Sequence, residues 1–229
     1  MNFESFVLAA ATDTLADASA PAVREHADAV EFRLDLADDP LTALRSYDGP
    51  LPIIATNRAD WEGGASGGPD RLDTLERAIE VEPVAAVDVE LAAIRRGTAR
   101  SLLERASERG VAVIASVHDF EATPSERAME RLLARASEHA DVAKLAVTPD
   151  APADTLALLS ATARATERGL SVATMAMGQL GAHTRVVAPI YGSTIGYAPV
   201  DAERATAPGQ LPVAELAGLY ERLCSERGN

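Results

Sequence analysis

Short apolar runs alternate along this chain with longer segments rich in alanine, leucine, glutamate and arginine, and the alternation persists from one end to the other. That is the pattern of repeated strand and helix units. It predicts eight strands, at Ser5–Ala11, Ala29–Leu34, Leu51–Asn57, Ala85–Glu90, Val111–Val117, Asp141–Val147, Leu170–Met175 and Ile190–Ile195. Helix ends are legible between them. Thr123, Pro124 and Glu126 predict a capping box with proline at the first helical position, opening a helix that ends near His139. The similar segments RASERGVAV and RATERGLSV each place a glycine where a helix must stop in a left-handed cap. No proline-rich linker, charge block or low-complexity tract divides the chain. The expectation is an α/β fold, a (β/α)8 TIM barrel, with residues 1–229 as a single domain. An open doubly wound sheet has similar periodicity, but AAATDTLADAS after the first strand lacks the glycines of a dinucleotide site.

Composition narrows the partners. The chain has 35 acidic and 21 basic residues and a net charge of -14, which disfavours nucleic acid and anionic membranes. An anionic ligand would need a local cluster of arginines. The acidic, lysine-poor composition also fits work at high salt. Cys224, the single cysteine, cannot form an internal disulfide, and it reads as an ordinary residue of a C-terminal helical segment in a reducing compartment. No run of apolar residues has the length of a membrane span and no signal peptide is visible, so a soluble cytoplasmic protein is expected.

Barrel enzymes work at the C-terminal ends of their strands, so the polar residues there are the candidates. Glu31 and Arg33 lie two apart at the end of strand 2 and share a face, as do Asp88 and Glu90 at the end of strand 4. Arg58 follows strand 3, with Glu62 just before a glycine-rich stretch, and His118 ends strand 5. Lys144 lies within strand 6. Met175 and Met177 end strand 7, Arg185 lies in the next connection, and Thr206 and Gln210 follow strand 8. The methionines read as packing residues, and His26, His139 and His183 as structural. The glycines from Gly63 to Gly68 have no following lysine and do not match a P-loop. Lys144 resists a structural reading. It is the only lysine beside twenty arginines, and it lies in an apolar strand where burial disfavours its charge. A neutral amine is the nucleophile a Schiff base requires, and arginine cannot supply one. A histidine on the adjacent strand end could move protons, with Glu62 orienting it. An aldolase-like Schiff-base barrel with a phosphate site near Gly178 and Gly181, or a catalytically silent barrel, remains open on these residues alone.

The succession EFRLD, TNRADWEGG, DVEL, SVHDF, AKLA, TMAMG, a downstream arginine and APGQ resembles the type I 3-dehydroquinate dehydratases, from Glu31 to Gln210. The resemblance implies a homodimeric barrel of the shikimate pathway, with no metal or organic cofactor, that dehydrates the small-molecule substrate 3-dehydroquinate to 3-dehydroshikimate. It implies Lys144 as the imine-forming lysine, His118 as general acid and base, and Glu62 as its partner. Arg185 with Gln210 would hold the substrate carboxylate, and Glu31, Arg33 and Arg58 the ring hydroxyls. Thr206 stands where the family usually has serine. The segment YGSTIGYAPVDAERATAPGQ is expected to form a lid hinged at Gly192 and Gly196. Many family members begin with a hairpin under the barrel, and this chain starts almost directly at strand 1.

Overall fold

The computed structural model describes residues 1–68 and 70–224. Its eight strands are β1 (Val7–Thr12), β2 (Ala29–Arg33), β3 (Ile53–Thr56), β4 (Val84–Glu90), β5 (Ala112–Asp119), β6 (Val142–Val147), β7 (Val172–Ala176) and β8 (Ile195–Pro199). They form one parallel sheet in the order β7-β6-β5-β4-β3-β2-β1-β8. An isolated bridge between Val172 and Ser193, with the Thr194 N–H donating to the Val172 carbonyl at 2.7 Å, brings β7 towards β8. The result is a nearly closed eight-stranded barrel with flanking helices.

Alternation within each strand divides the apolar residues into two cores. One side of every strand faces outward and packs with the helices in a large cluster that includes Val30, Phe32, Ala55, Val87, Val89, Ala115 and Leu145. The other side fills the barrel, with Ala9, Ala29, Ile54, Ala86, Ile114, Val142, Ala173 and Ile195 among its residues. Phe3 belongs to this interior cluster and Met1 packs against it, so both help cover the floor of the barrel. Two residues further along the strands the interior becomes polar, at Glu31, Thr56, Asp88, Ser116 and Lys144. Pairing puts these in one layer: Thr56 aligns with Asp88, and Ser116 with Lys144.

The structure corrects three local expectations. The eighth strand does not occupy Ile190–Ile195. Ala188–Tyr191 is a 3-10 turn with Pro189 near its start and Gly192 at φ 100° after it, and the strand begins at Ile195. Proline suits the first helical turn and the left-handed glycine stops it, so the apolar run through Ile190 is a turn despite its β-like composition. No capping box opens the helix Glu126–Ser137: the Thr123 hydroxyl donates to the Thr148 carbonyl, and the Glu126 carboxylate accepts from Ser160. Finally, Gly196 is not a hinge. It is buried inside β8, where an added Cβ would lie 2.7 Å from the Phe6 ring, and Gly192 is a helix stop pressed against Thr166. The segment that can cover the barrel mouth therefore starts after β8. The glycines of the two similar segments, Gly110 and Gly169, do adopt left-handed φ of 65° and 79°. Among the described residues no helix is long and apolar enough to cross a membrane.

Candidate active site

One cavity at the C-terminal ends of the strands is lined by Glu31, Arg33, Arg58, Glu62, His118, Lys144, Arg185, Thr206 and Gln210, which are all of the site residues expected from the sequence. Phe120, Met175, Met177 and Tyr197 supply apolar wall.

Lys144 points inward from β6, 5% exposed. Its Nζ donates to Asp88 Oδ2 at 2.9 Å and stands 3.6 Å from Glu31 Oε1. The amine is therefore not the isolated group that the sequence suggests, because two carboxylates offset the burial of its charge. Asp88 is shared, since its other oxygen stands 2.7 Å from Arg58 Nη2. Burial alone would raise the Asp88 carboxyl, but Arg58 and Lys144 outweigh it and hold the group well below the usual carboxylate range.

Arg58 is the centre of the charged layer. Its Nη1 donates to Glu90 at 3.0 Å and to the Ser116 hydroxyl at 2.7 Å, and lies 3.9 Å from Glu62. Burial opposes its charge, yet Asp88, Glu90 and Glu62 together raise it above the normal arginine range. Glu90 in turn accepts from the Ala59 N–H and pairs with Arg71 at 2.7 Å, while Arg71 donates to the Asn57 carbonyl. Arg33 forms a two-pronged pair with Asp35, at 2.9 and 2.6 Å. Arg33 and Arg58 thus already have protein carboxylates as partners, and any hydroxyl they hold would be an additional contact.

His118 follows the same register. Ser116 aligns with Lys144, so His118, two residues further on the same face of β5, sits above the lysine towards the mouth. Glu62 Oε2 lies 3.0 Å from His118 Nδ1 and accepts the His118 backbone N–H at 3.0 Å, fixing the ring through two contacts. Nε2 remains for the cavity. Burial, then the cations Arg58 and Lys144, push the imidazole well below its ordinary range, with Asp88 opposing, so the ring is neutral at neutral pH. Burial also raises Glu62 to about 7, with Arg58 opposing and Glu90 and Asp88 adding to the rise.

This gives a signed expectation for Glu62→Gln. The folded carboxyl holds its proton up to about 7, against an ordinary 4.5. The folded state therefore binds more protons between those values, and the stabilisation, full below the ordinary value, is lost as pH rises through the folded one. Glutamine does not ionise. The stability of the variant relative to the parent should rise between pH 5 and pH 8, by on the order of 2 kcal/mol. Denaturant melts of both chains at each pH measure this, and a pH-independent difference would contradict it.

Arg185, 5% exposed, is different from the other cations. Among the described residues no carboxylate lies within ion-pair distance of it. Its Nη2 donates to the Pro208 carbonyl at 3.2 Å, and its Nε is buried without a partner. Burial lowers it to about 10, with Glu31 opposing, so it keeps its charge at neutral pH. Here is the local positive charge that an anionic ligand needs in a chain of net charge -14. Gln210 Oε1 accepts from the Thr206 and Ala207 N–H groups, at 2.8 and 3.1 Å, which folds the segment after β8 over the mouth and leaves the Gln210 amide N–H groups for a ligand. Arg204 pairs with both oxygens of Asp17, at 2.7 and 2.6 Å, and ties the same segment to the loop after β1.

Strand alternation marks Asp88 and Glu90 as inward charges without a site role, and local pattern alone does not single out Asp35, Arg71, Ser116 or Tyr197. Asp35 had a signal in its spacing from Arg33. Tyr197 lies beyond the eighth strand expected at Ile190–Ile195, so alternation gives it no inward face until β8 is placed at Ile195–Pro199. Arg71 had none, since it opens the helix Arg71–Ala78 and reaches the site only through the fold. Among the described residues no group of three or more His, Cys, Asp and Glu side chains could hold a metal ion. The phosphate-site alternative also loses support: the Gly178 N–H is taken by the Pro208 carbonyl, and the helix Gly178–Gly181 is a single turn.

Comparison with known proteins agrees with this geometry. The family model described as Type I 3-dehydroquinase matches residues 6–225. A 3-dehydroquinate dehydratase of Haloarcula marismortui is 50% identical over 230 residues, covering 99% of this chain and 100% of the relative. The crystal structure of 3-dehydroquinate dehydratase from Geobacillus kaustophilus HTA426 superposes with a TM-score of 0.86 at 28% identity, over 98% of this chain and 93% of that one. The type I enzyme from Clostridium difficile, whose structure is described as having covalent modified comenic acid, also gives 0.86, at 26% identity over 97% and 93%.

Proposed function

Because the chain belongs to the type I 3-dehydroquinase family and dehydrates 3-dehydroquinate to 3-dehydroshikimate, we propose that Lys144 forms the imine and His118 moves the protons. The observation that supports this most is the meeting, in one cavity, of a buried primary amine, a neutral imidazole and a guanidinium with no carboxylate partner among the described residues.

The substrate carboxylate pairs with Arg185 and takes amide hydrogens from Gln210, which places the ring across the barrel mouth above Lys144. Thr206 offers its hydroxyl beside them. Glu31, Arg33 and Arg58 contact the ring hydroxyls from the other side. Lys144 Nζ gives a proton to the neutral His118 imidazole and attacks the C3 ketone, and His118 returns that proton to the carbinolamine hydroxyl as it departs. The carbinolamine loses water, leaving a cationic iminium that withdraws electrons from C2. His118 takes the C2 proton and the electron pair moves into an enamine. The enamine expels the C1 hydroxyl, which leaves as water with the proton His118 carries. Water then returns through the iminium, releasing 3-dehydroshikimate and the free lysine. Glu62 holds the imidazole for both transfers. Residues 1–229 as one barrel domain, a homodimeric assembly and a cytoplasmic location belong to the same proposal.

Borohydride tests it. Incubation with 3-dehydroquinate and borohydride, then peptide mass mapping, should find a reduced adduct on Lys144. An adduct elsewhere, or none, would remove Lys144 from the mechanism.

A further inference from the structure

Tyr197 has no part in the steps above. It enters the barrel from β8, in register with Ala9 of β1, is 3% exposed, and lines the cavity. Lys144 Nζ lies 3.9 Å from the centroid of its ring. Its hydroxyl is buried without a hydrogen-bond partner among the described residues. The hydroxyl therefore anchors nothing there, and the contact Tyr197 makes with the charged layer is its π face.

That face carries the negative part of the ring quadrupole and attracts a cation, most strongly where water is excluded. Lys144 is the imine lysine in the proposed function, and this inference rests on that reading. The nitrogen is positive twice in the reaction, as ammonium before attack and as iminium after water has left. The groups that face it are Asp88 from β4, Glu31 from β2, Arg58 after β3 and His118 from β5. Asp88 is shared with Arg58, and Glu31 Oε1 also accepts from the Thr56 hydroxyl at 2.9 Å. An ammonium donates its hydrogens to these oxygens, but an iminium nitrogen has only one hydrogen left to donate. The attraction of a ring face to positive charge needs no hydrogen, so it survives the change.

We propose that Tyr197 is a further catalytic residue of the dehydration, its ring face stabilising the positive charge on Lys144 Nζ as the iminium forms. The contribution is electrostatic, and it acts on the intermediate more than on substrate binding.

The test replaces Tyr197 with phenylalanine, then with phenylalanines carrying increasing numbers of ring fluorines, which keep the ring's shape while draining its negative face. A Tyr197→Leu chain serves as the non-aromatic member. The expected result is a stepwise fall in kcat from the phenylalanine chain through the fluorinated series, roughly ten-fold in all, with KM changing less. Borohydride reduces the protonated imine, so the pH at which trapping on Lys144 falls to half should move downward along the same series, a shift that lost packing alone does not produce. Flat kcat and an unmoved trapping midpoint across the fluorinated chains overturn the proposal, whether or not the leucine chain folds. If the parent chain itself traps no adduct on Lys144, the reading beneath falls and this proposal with it. A parent that traps normally with an unresponsive series sinks the role of Tyr197 alone.

Discussion

Lys144→Ala is expected to lose turnover by on the order of 10^3-fold or more, because the covalent route disappears and no other side chain can supply an uncharged amine. The twenty arginines stay protonated, and the chain has no second lysine. The fold should survive. Breaking a buried ion pair commonly costs about 3–5 kcal/mol because the abandoned charge has no partner. Here Asp88 keeps Arg58 at 2.7 Å and Glu31 keeps the Thr56 hydroxyl at 2.9 Å, so neither carboxylate is left alone. Lys144→Met, which restores the side-chain volume, separates packing from chemistry. Both variants should be inactive, with the methionine chain melting closer to the parent. Turnover in either one within ten-fold of the parent would contradict the imine role.

His118→Ala is expected to lower kcat by about 10^2- to 10^4-fold, the usual worth of a positioned general acid and base. Two steps should slow together. Imine formation needs a proton acceptor and a donor for the departing water, and elimination needs the same ring to take the C2 proton and return it to the C1 oxygen. Rapid-quench trapping with borohydride reads the first step and product absorbance the second. Slow trapping with slow turnover fits a single imidazole serving both, whereas near-normal turnover removes His118 from the mechanism. The alanine chain also leaves Glu62 without its ring partner, so a His118→Gln control, which can still meet the Glu62 carboxyl, is needed beside it.

Some of this site was legible in the chain and some was not. The spacing of Glu31 and Arg33, and of Asp88 and Glu90, showed that charges face inward, because alternation along a strand is local. The lone Lys144 marked itself by composition. What those charges pair with was not legible. Local pattern suggested an amine kept neutral by burial, and the structure puts Asp88 and Glu31 beside it. The family resemblance assigns Arg33 and Arg58 to substrate hydroxyls, while Arg33 is also held by Asp35 and Arg58 by Asp88 and Glu90. The eighth strand is expected too early because the β-prone Ile190, Tyr191, Thr194 and Ile195 outweigh the turn chemistry of Pro189 and Gly192, and the inward position of Tyr197 is lost with it.

The sequence by itself determined the repeated strand and helix pattern, the inward-facing polar residues and the chemical types present, since each follows from short-range periodicity or from which side chain can lose a proton. Tertiary structure alone decided the partners. Arg58 reaches Glu90 and Ser116 from 32 and 58 positions away, and Lys144 reaches Asp88 across 56. Those distances close only when parallel strands curl into a barrel and bring their C-terminal ends around one cavity, and the balance of charge at the reacting nitrogen is set there.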